Sequence, residues 1–150
     1  MKKIISLCLV ALFSAGVYAT PSRVPDSAVK IQKIFHEDFP EVTFFKVYPF
    51  GDSYTVYYKE TKNESSGRVY YDAEGNIVQS FKYYSGDQLA PFIRAKISKK
   101  YNGKNITNVT EVTNDEEHYY EIVLQDSKQM IVINSDIQGH LHLINKYKKA

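Results

Sequence analysis

Two stretches of the chain repeat the same order of apolar, aromatic and turn positions. At an offset of 62 residues, Ala28–Val47 aligns with Ala90–Val109, and the apolar positions of the two stretches largely coincide. The same offset places the pair Tyr57-Tyr58 over the pair Tyr119-Tyr120. A fixed period of this length is typical of a structural unit that occurs more than once. We therefore interpret the chain as a tandem repeat, with residues 27–86 as the first unit and residues 87–150 as the second.

Each unit is predicted to begin with one amphipathic helix. In the first unit, Asp26 or Ser27 can cap a helix in which Ile31 and Phe35 recur at helical spacing. The pair Phe39-Pro40 ends this helix, because the residue before a proline is pushed out of the helical region. In the second unit, Pro91 suits a first helical turn, and the pair Asn102-Gly103 offers a left-handed cap at the end.

Four short strands are predicted after each helix, since Tyr, Val, Ile, Phe and Thr dominate these segments. The connectors between them, such as Asn63–Gly67, are short and polar and are long enough only for hairpins. The predicted strands are Val42–Tyr48, Tyr54–Glu60, Arg68–Asp72 and Asn76–Tyr84, then Asn105–Thr113, His118–Gln125, Gln129–Asn134 and His140–Lys148. The predicted fold class is α+β: a tandem repeat of a helix plus a four-stranded antiparallel meander, with the helices on one face of the sheet or sheets.

The motif Asp-x-x-Gly occurs in both units, as Asp72–Gly75 and Asp136–Gly139, with the second copy two residues later in register than the offset of 62. Asp at the first position and Gly at the fourth are favoured in a type I turn followed by a left-handed residue. The alternative is a calcium loop, which needs six to eight oxygen ligands and a distal bidentate carboxylate. The second copy has Gln138 where the first has Glu74, and neither copy has the distal glutamate. We interpret both motifs as hairpin turns.

The N-terminus has the pattern of a cleaved signal peptide. Two lysines precede a short apolar run, and Val17–Ala19 supplies residues that a signal peptidase accepts. The run is shorter than the roughly 20 residues that span a bilayer. Residues 1–19 are therefore predicted to be removed, and residues 20–26 form a short N-terminal arm. A retained anchor and a lipoprotein are the alternatives, but Cys8 lies deep in the apolar run, where lipidation is not expected.

Charge and cysteine content exclude several functional classes. Once Lys2 and Lys3 are removed with the signal peptide, the chain has as many basic as acidic residues. A neutral chain lacks the clustered basic surface that is typical of nucleic-acid binding, so no nucleic-acid partner is expected. Cys8 is the only cysteine, and its loss excludes disulfides, a thiol nucleophile and a thiolate metal site from the exported chain.

The signal peptide, the helix ending in Phe39-Pro40, the tyrosine-rich meander and the Asp-x-x-Gly turn, followed by the second helix and its strands, resemble the PepSY-like family. Its members are small exported bacterial proteins described as β-lactamase-inhibitor-like. The resemblance implies two helix-plus-sheet units and a non-enzymatic binding or inhibitory role in the periplasm, in a Gram-negative bacterium. This chain has no Trp, and Phe44 or Phe45 stands where the family has one in its first strand, so its ligand can differ.

Pairs of adjacent tyrosines are the most unusual feature of the predicted strands. Adjacent strand residues point to opposite faces, so each pair sends one ring toward the core and one toward solvent. Tyr58, Phe81 and Tyr83 are assigned to the core. The candidate binding face comprises Tyr57, Tyr70, Tyr84 and Tyr119. Tyrosine is enriched at interfaces because it offers rigid contact area together with a hydroxyl group. The alternative interpretation is an ordinary sheet that uses tyrosine for its strand propensity.

No motif of catalysis, metal binding or cofactor binding is found. His140 and His142 alternate on the last strand, but no third ligand is assigned by spacing, and two histidines do not make a metal site. The predicted function is a non-enzymatic module of the periplasm or extracellular space that binds an unknown protein or peptide, as an inhibitor or in a chaperone-like role. A binder of small ligands or envelope glycans that uses the same tyrosines is the alternative, and an unrecognised enzyme is the third. No membrane span is expected after signal cleavage, and no cofactor is predicted.

Overall fold

The computed structural model describes residues 26–149, in which two helices pack on one face of an eight-stranded antiparallel sheet. The predicted signal peptide and residues 20–25 of the arm lie outside the described residues. The helices are α1 (Asp26–Asp38) and α2 (Pro91–Lys100), and a 3₁₀ turn at Gly86–Gln88 precedes α2. The strands are β1 (Phe44–Phe50), β2 (Ser53–Glu60), β3 (Ser65–Tyr71), β4 (Ile77–Tyr84), β5 (Asn105–Asn114), β6 (His118–Gln125), β7 (Gln129–Asp136) and β8 (Leu141–Lys148).

Every strand pairs with the next one in the sequence, from β1 to β8, so the sheet is a single meander. The pairing of β4 with β5 joins the strands that follow α1 to those that follow α2. The predicted α+β class with antiparallel strands is confirmed. The order of one helix and four strands occurs twice along the chain, and both sets contribute to one continuous sheet. No helix within residues 26–149 is long and apolar enough to cross a membrane.

α1 covers the first four strands with a narrow apolar stripe. Ala28, Ile31 and Phe35 are buried along it at helical spacing, and the Phe35 ring is fully buried against the Phe39 and Phe45 rings. Burying a side chain of this size stabilises a fold by about 1.5–3 kcal/mol. The first core also contains, from the sheet and the segment before it, Val42, Tyr54, Val56, Tyr58, Val69 and Tyr71.

α2 covers the last four strands and forms a second core. Pro91 occupies its first turn, where a missing backbone N–H costs nothing. Ile93 and Ile97 are buried on the face toward the sheet. Gly103, with φ of +76°, follows the end of the helix in the left-handed region. The remaining buried residues of the second core are Tyr84, Leu89, Val109, Ile122, Leu124, Ile131 and Ile133.

A polar seam separates the two apolar cores on the helix-covered face. Lys82 Nζ donates to Glu60 Oε1 at 2.8 Å, and the Tyr84 hydroxyl donates to Glu111 Oε2 at 3.0 Å. His118 Nε2 lies 2.7 Å from Glu111 Oε1. Lys82 and Glu111 are register partners on β4 and β5. The two halves of the sheet are therefore joined by backbone pairing and polar contacts, whereas their apolar cores form separately.

A β-bulge in β4 overturns part of the predicted inward and outward assignment. Tyr71 pairs with Ile77 but Tyr70 pairs with Gln79, so one residue of β4 is inserted at this point. The insertion changes which alternate positions face the helices. Phe81 and Tyr83 consequently face away from the helices, and the prediction that they belong to the core is wrong. Tyr84 turns toward α2, where only 8% of its surface remains exposed.

The two Asp-x-x-Gly segments connect β3 to β4 and β7 to β8. Gly75 has φ of +96° and Gly139 has φ of +79°, a conformation in which a side chain is strained. Each turn also contacts the helix of its own half. Lys30 Nζ donates to the Glu74 carbonyl oxygen at 2.7 Å, and Lys96 Nζ donates to that of Gln138 at 2.8 Å.

The predicted connector Asn63–Gly67 is shorter than expected. Its last three residues, Ser65–Gly67, already pair with β2 as the start of β3. Gly67 lies opposite Tyr58, and a Cβ atom at Gly67 would come within 2.5 Å of the Tyr58 ring. The glycine therefore belongs to the strand because it leaves room for that ring, and not because the chain turns there.

Candidate binding face

The face of the sheet that points away from the helices is called the open face here. Its N-terminal half belongs to β1–β4 and its C-terminal half to β5–β8. The pairing register arranges its side chains in rows that cross the strands. The central row runs from β1 to β7 through Lys46, Tyr57, Arg68, Phe81, Val112, Tyr119 and Asp136. The row begins with a lysine and ends with an aspartate.

Large aromatic rings are exposed at the outer edge of the N-terminal half. Phe44, Tyr48 and Phe50 alternate along the edge strand β1, and their exposed fractions are 67%, 49% and 79%. Tyr57 on β2 is 48% exposed, and its ring packs edge-on against Tyr48 with a centroid distance of 5.7 Å. Together these four residues are the aromatic patch.

Two hollows flank Tyr57. The larger, with a volume of about 480 Å³, is lined by side chains of four strands, among them Phe44, Lys46, Lys59 and Tyr83. The smaller, with a volume of about 430 Å³, lies along Tyr48 and Phe50 at the other end of β1. The full lining of the larger hollow is Thr43, Phe44, Phe45, Lys46, Tyr57, Tyr58, Lys59, Ser66, Gly67 and Tyr83. Tyr57 thus forms a ridge between two depressions, which is a shape that side chains of a partner can fill.

Arg68 lies at the centre of the N-terminal half, between aromatic rings. Its guanidinium carbon is 4.4 Å from the centroid of the Phe81 ring and 5.5 Å from that of Tyr70. The two rings meet edge-on at 6.0 Å. Within residues 26–149 the buried Nε of Arg68 has no hydrogen-bond acceptor, and Arg68 makes no ion pair with a carboxylate. The rings therefore hold this cation without neutralising it.

The two halves of the open face differ in charge. On the described strands β1–β4, the charged residues of this face are Lys46, Lys59 and Arg68, and none is acidic. On β5–β8 they are Glu121 and Asp136, without lysine or arginine, since Lys146 and Lys148 fall on the helix-covered side of the register. The chain as a whole has no such imbalance, so the separation is a property of the folded sheet.

The sequence-predicted tyrosines do not form one patch. Tyr57 and Tyr70 lie diagonally across β2 and β3 on the open face, with Tyr70 half-buried. Tyr119 is also on the open face but belongs to β6, roughly 19 Å from β2 at the usual strand spacing. Tyr84 is buried on the helix-covered face, so its predicted exposed position is wrong.

Buried tyrosines of the helix-covered face have raised pKa values. Burial raises the pKa of Tyr58 to about 12, with a further contribution from Glu60 and Glu111. Burial and the neighbouring carboxylate of Glu111 raise the pKa of the Tyr84 hydroxyl well above its ordinary range. Both hydroxyls remain protonated near neutral pH, and that of Tyr84 donates to Glu111.

Sequence reasoning missed most of the aromatic patch and all of its cations. The signal was present in β1, where Phe44, Lys46, Tyr48 and Phe50 occupy alternate positions. Alternation in a strand places all four on one face, opposite the partly buried Phe45 and Val47, which pack against the first core. The tyrosine pairs lie on β2, β3, β4 and β6, so a prediction that starts from these pairs does not include the edge strand.

Both turn carboxylates and the His140 ring are engaged in local hydrogen bonds. Asp72 Oδ1 accepts from the backbone N–H of Gly75 and of Asn76, each at 2.8 Å. Asp136 Oδ2 lies 2.6 Å from His140 Nδ1. Among residues 26–149, no three histidine or acidic side chains are arranged to hold a metal ion. Hydrogen bonds led by that from the Asn76 side chain lower the pKa of Asp72.

Several solved bacterial structures have the same fold. A BLIP-like protein from Bacteroides fragilis superposes with a TM-score of 0.59 at 17% identity, over 88% of this chain and 89% of that one. A DUF2874 family protein from Bacteroides ovatus gives a TM-score of 0.59 at 16% identity, over 83% and 86%. A protein from Bacteroides eggerthii, whose name assigns it provisionally to the periplasm, gives 0.59 at 15% identity, over 83% and 88%.

No family model and no curated protein matches the chain. At these identities the likeness to solved structures concerns the fold alone. The chain, with its helices on one face of an eight-stranded sheet, therefore shares its fold with a BLIP-like protein. The PepSY-like resemblance of the sequence remains an interpretation.

Proposed function

We propose that this protein is an exported, non-enzymatic module that binds a protein or peptide through the open face. The observation that carries the proposal is the aromatic patch of Phe44, Tyr48, Phe50 and Tyr57, four rings about half or more exposed on two adjacent strands. Contiguous exposed apolar surface on a soluble protein is typical of an interaction site, and aromatic residues are enriched in the centres of interfaces. An inhibitor or a chaperone-like protein can use such a face, and the BLIP-like name of a neighbouring fold favours the inhibitor.

The test compares capture by wild-type protein with capture by two variants. Tyr57→Ala removes the ridge between the two hollows, whereas Lys33→Ala changes an exposed residue of α1 on the opposite side of the molecule. Envelope proteins retained by wild type and by Lys33→Ala, but not by Tyr57→Ala, are purified and their affinities measured by calorimetry. Equal affinity of the purified partner for wild type and Tyr57→Ala would overturn the proposal.

A small-ligand or glycan binder is the second candidate, favoured by the hollow of about 480 Å³ beside exposed rings. Pockets of this size accommodate small ligands. Saturating oligosaccharides of the envelope should leave the protein partner bound if the first proposal holds. If they displace it and shift the fluorescence of the tyrosines, the glycan function is favoured instead.

We infer export from the tripartite N-terminus, and a neighbouring fold with a periplasmic designation supports it. N-terminal sequencing of protein from the native host should begin at Thr20 or within a few residues of it. A mature product that starts at Met1 would contradict the periplasmic or secreted location.

We further interpret the two helix-and-meander sets as a tandem repeat. Their common element order and the equivalent contacts of Lys30 with the first turn and Lys96 with the second support this interpretation. In this description residues 27–86 and 87–150 are the repeat units.

A further inference from the structure

We propose that the N-terminal half of the open face selects a protein segment that carries carboxylates next to apolar or aromatic side chains. This inference rests on the proposed function and adds the chemistry of the partner. It starts from the three cations Lys46, Lys59 and Arg68, which share the face of β1–β3 with the aromatic patch.

Two of these cations stand at the rim of the larger hollow. Lys46 and Lys59 are exposed and both line it, together with Phe44, Tyr57 and Tyr83. They are diagonal neighbours on β1 and β2, since Phe44 pairs with Lys59 and Lys46 pairs with Tyr57. An apolar side chain in the hollow therefore has two ammonium groups beside it. A carboxylate one or two residues away in the same segment can reach them.

Arg68 supplies a third positive charge with a defined position. Its guanidinium stacks 4.4 Å from the Phe81 ring centroid, and the residue is half-buried, so little conformational freedom remains to be lost on binding. A guanidinium in this setting favours a planar carboxylate, which can accept two hydrogen bonds from it. The Nε of Arg68 is buried without an acceptor within residues 26–149, so the hydrogen bonds to a carboxylate of the partner have to come from the terminal amino groups of the guanidinium.

Charge complementarity then decides among the possible occupants. A second copy of this chain that docks through its own open face would offer its acidic half, which on its described strands carries only Glu121 and Asp136, and Asp136 is engaged by His140. Nucleic acid needs cations along an extended backbone, but the C-terminal half of the open face has no lysine or arginine on its described strands. A short acidic segment needs only the N-terminal half. It is the occupant that fits both the cations and the aromatic patch.

The test uses random twelve-residue peptides displayed on phage and selected on immobilised protein. Wild type is compared with the double variant Lys46→Glu/Lys59→Glu and with the control Glu121→Lys, which changes an exposed charge on the other half of the open face. All three changes are at exposed positions, and unchanged thermal melting checks that the variants fold. Peptides selected by wild type and by the control should be enriched in Asp and Glu beside aromatic residues. The double variant should lose that enrichment.

One selected acidic peptide is then synthesised and its Kd measured. Charge reversal at both lysines should weaken its binding about tenfold or more, because opposite charges become like charges. Binding to wild type should also weaken as NaCl rises from low to physiological concentration, since exposed charges are screened. An oligothymidylate should not displace the peptide, and the protein should remain monomeric at the concentrations used.

The outcomes separate the two proposals. Selected peptides can require Tyr57 and yet show no enrichment in Asp and Glu, or bind the double variant as tightly as wild type. Either result would overturn the acidic selectivity, while the proposal that the open face binds a protein or peptide would stand. Peptides whose affinity is changed neither by Tyr57→Ala nor by the double variant would overturn both proposals. A selection that returns no binding peptide would also overturn both. Displacement of the peptide by the oligothymidylate would mean that the open face binds nucleic acid and not an acidic segment. Self-association that blocks peptide binding would mean that the face binds a second copy of the chain.

Discussion

The two halves of the sheet have the same order of elements and opposite chemistry on the open face. Both halves pack one helix on one side, and each forms its own apolar core. The N-terminal half has the aromatic patch and three cations, whereas the C-terminal half has the carboxylates Glu121 and Asp136 and, on its last strand, the exposed ring of Tyr147. The helix-covered side contains the apolar cores on which folding depends, and the spacing of its apolar residues is therefore similar in both halves. The open face is free of that requirement and can diverge for binding.

The largest expected effect concerns the cores of the two halves. Phe35→Ala should lower the free energy of unfolding by about 4 kcal/mol, since deleting a fully buried ring leaves a cavity. Ile97→Ala should cost about 3 kcal/mol in the second core. Because β4 and β5 are paired across the junction, both variants should unfold in one transition by chemical denaturation. Two separate transitions would mean that the halves are independent domains.

The next comparison sets Tyr57 against Tyr119, which share the central row of the open face. Tyr57→Ala should weaken partner binding by about 2 kcal/mol, as the loss of an interface anchor does, with little change in melting temperature. Tyr119→Ala should leave the affinity nearly unchanged and lower stability slightly, because that ring is half-buried in the free protein. Calorimetric titration and thermal melting measure the two effects. A larger loss of affinity at Tyr119 would move the binding site to the C-terminal half.

The matched turns provide a smaller contrast. Gly75→Ala should cost about 2 kcal/mol and Gly139→Ala about 1 kcal/mol, since both need a left-handed conformation. A Cβ at Gly75 would also come within 2.5 Å of Ile34 Cδ1, so Ile34 has to move, while Gly139 has Lys96 Cδ at 3.1 Å. Asp72→Asn should be mild, because Asn suits the same turn position. Denaturant unfolding measures the loss of stability in each variant, and a larger loss for Gly139→Ala than for Gly75→Ala would contradict the prediction.

The smallest expected effect is the pH dependence from Asp126, which precedes β7. Hydrogen bonds from Lys104 and from the backbone at Lys128 lower the pKa of Asp126 to about 2. A lowered pKa means that the stabilisation is present above the unfolded-state pKa of about 3.9 and is lost as pH falls toward about 2. Asp126→Asn should therefore be slightly less stable than wild type at neutral pH and equal to it near pH 2. A difference that persists unchanged at acidic pH would show that the contacts do not depend on the charge.

Local sequence patterns determined the elements of this fold. Apolar residues at helical spacing identify α1 and α2, the pair Phe39-Pro40 ends the first helix, and glycine at the fourth turn position identifies the hairpins. The predicted strands coincide with the observed ones within a few residues. These features depend on interactions between residues close in sequence, so they can be predicted without knowing the partners of each strand.

Only the tertiary structure decided which side chains share the open face and what charge it carries. One inserted residue near Ile77 reverses the facing of the rest of β4, and it places Phe81 and Tyr83 outward and Tyr84 inward. A strand's alternation has a period of two, so a single bulge inverts every later assignment. Lys46, Lys59 and Arg68 lie on one face because of the register of three strands. The overall charge of the chain is balanced, so its composition does not indicate this local excess of positive charge. Local sequence therefore determined the elements, and long-range strand pairing determined which side chains lie together on the open face.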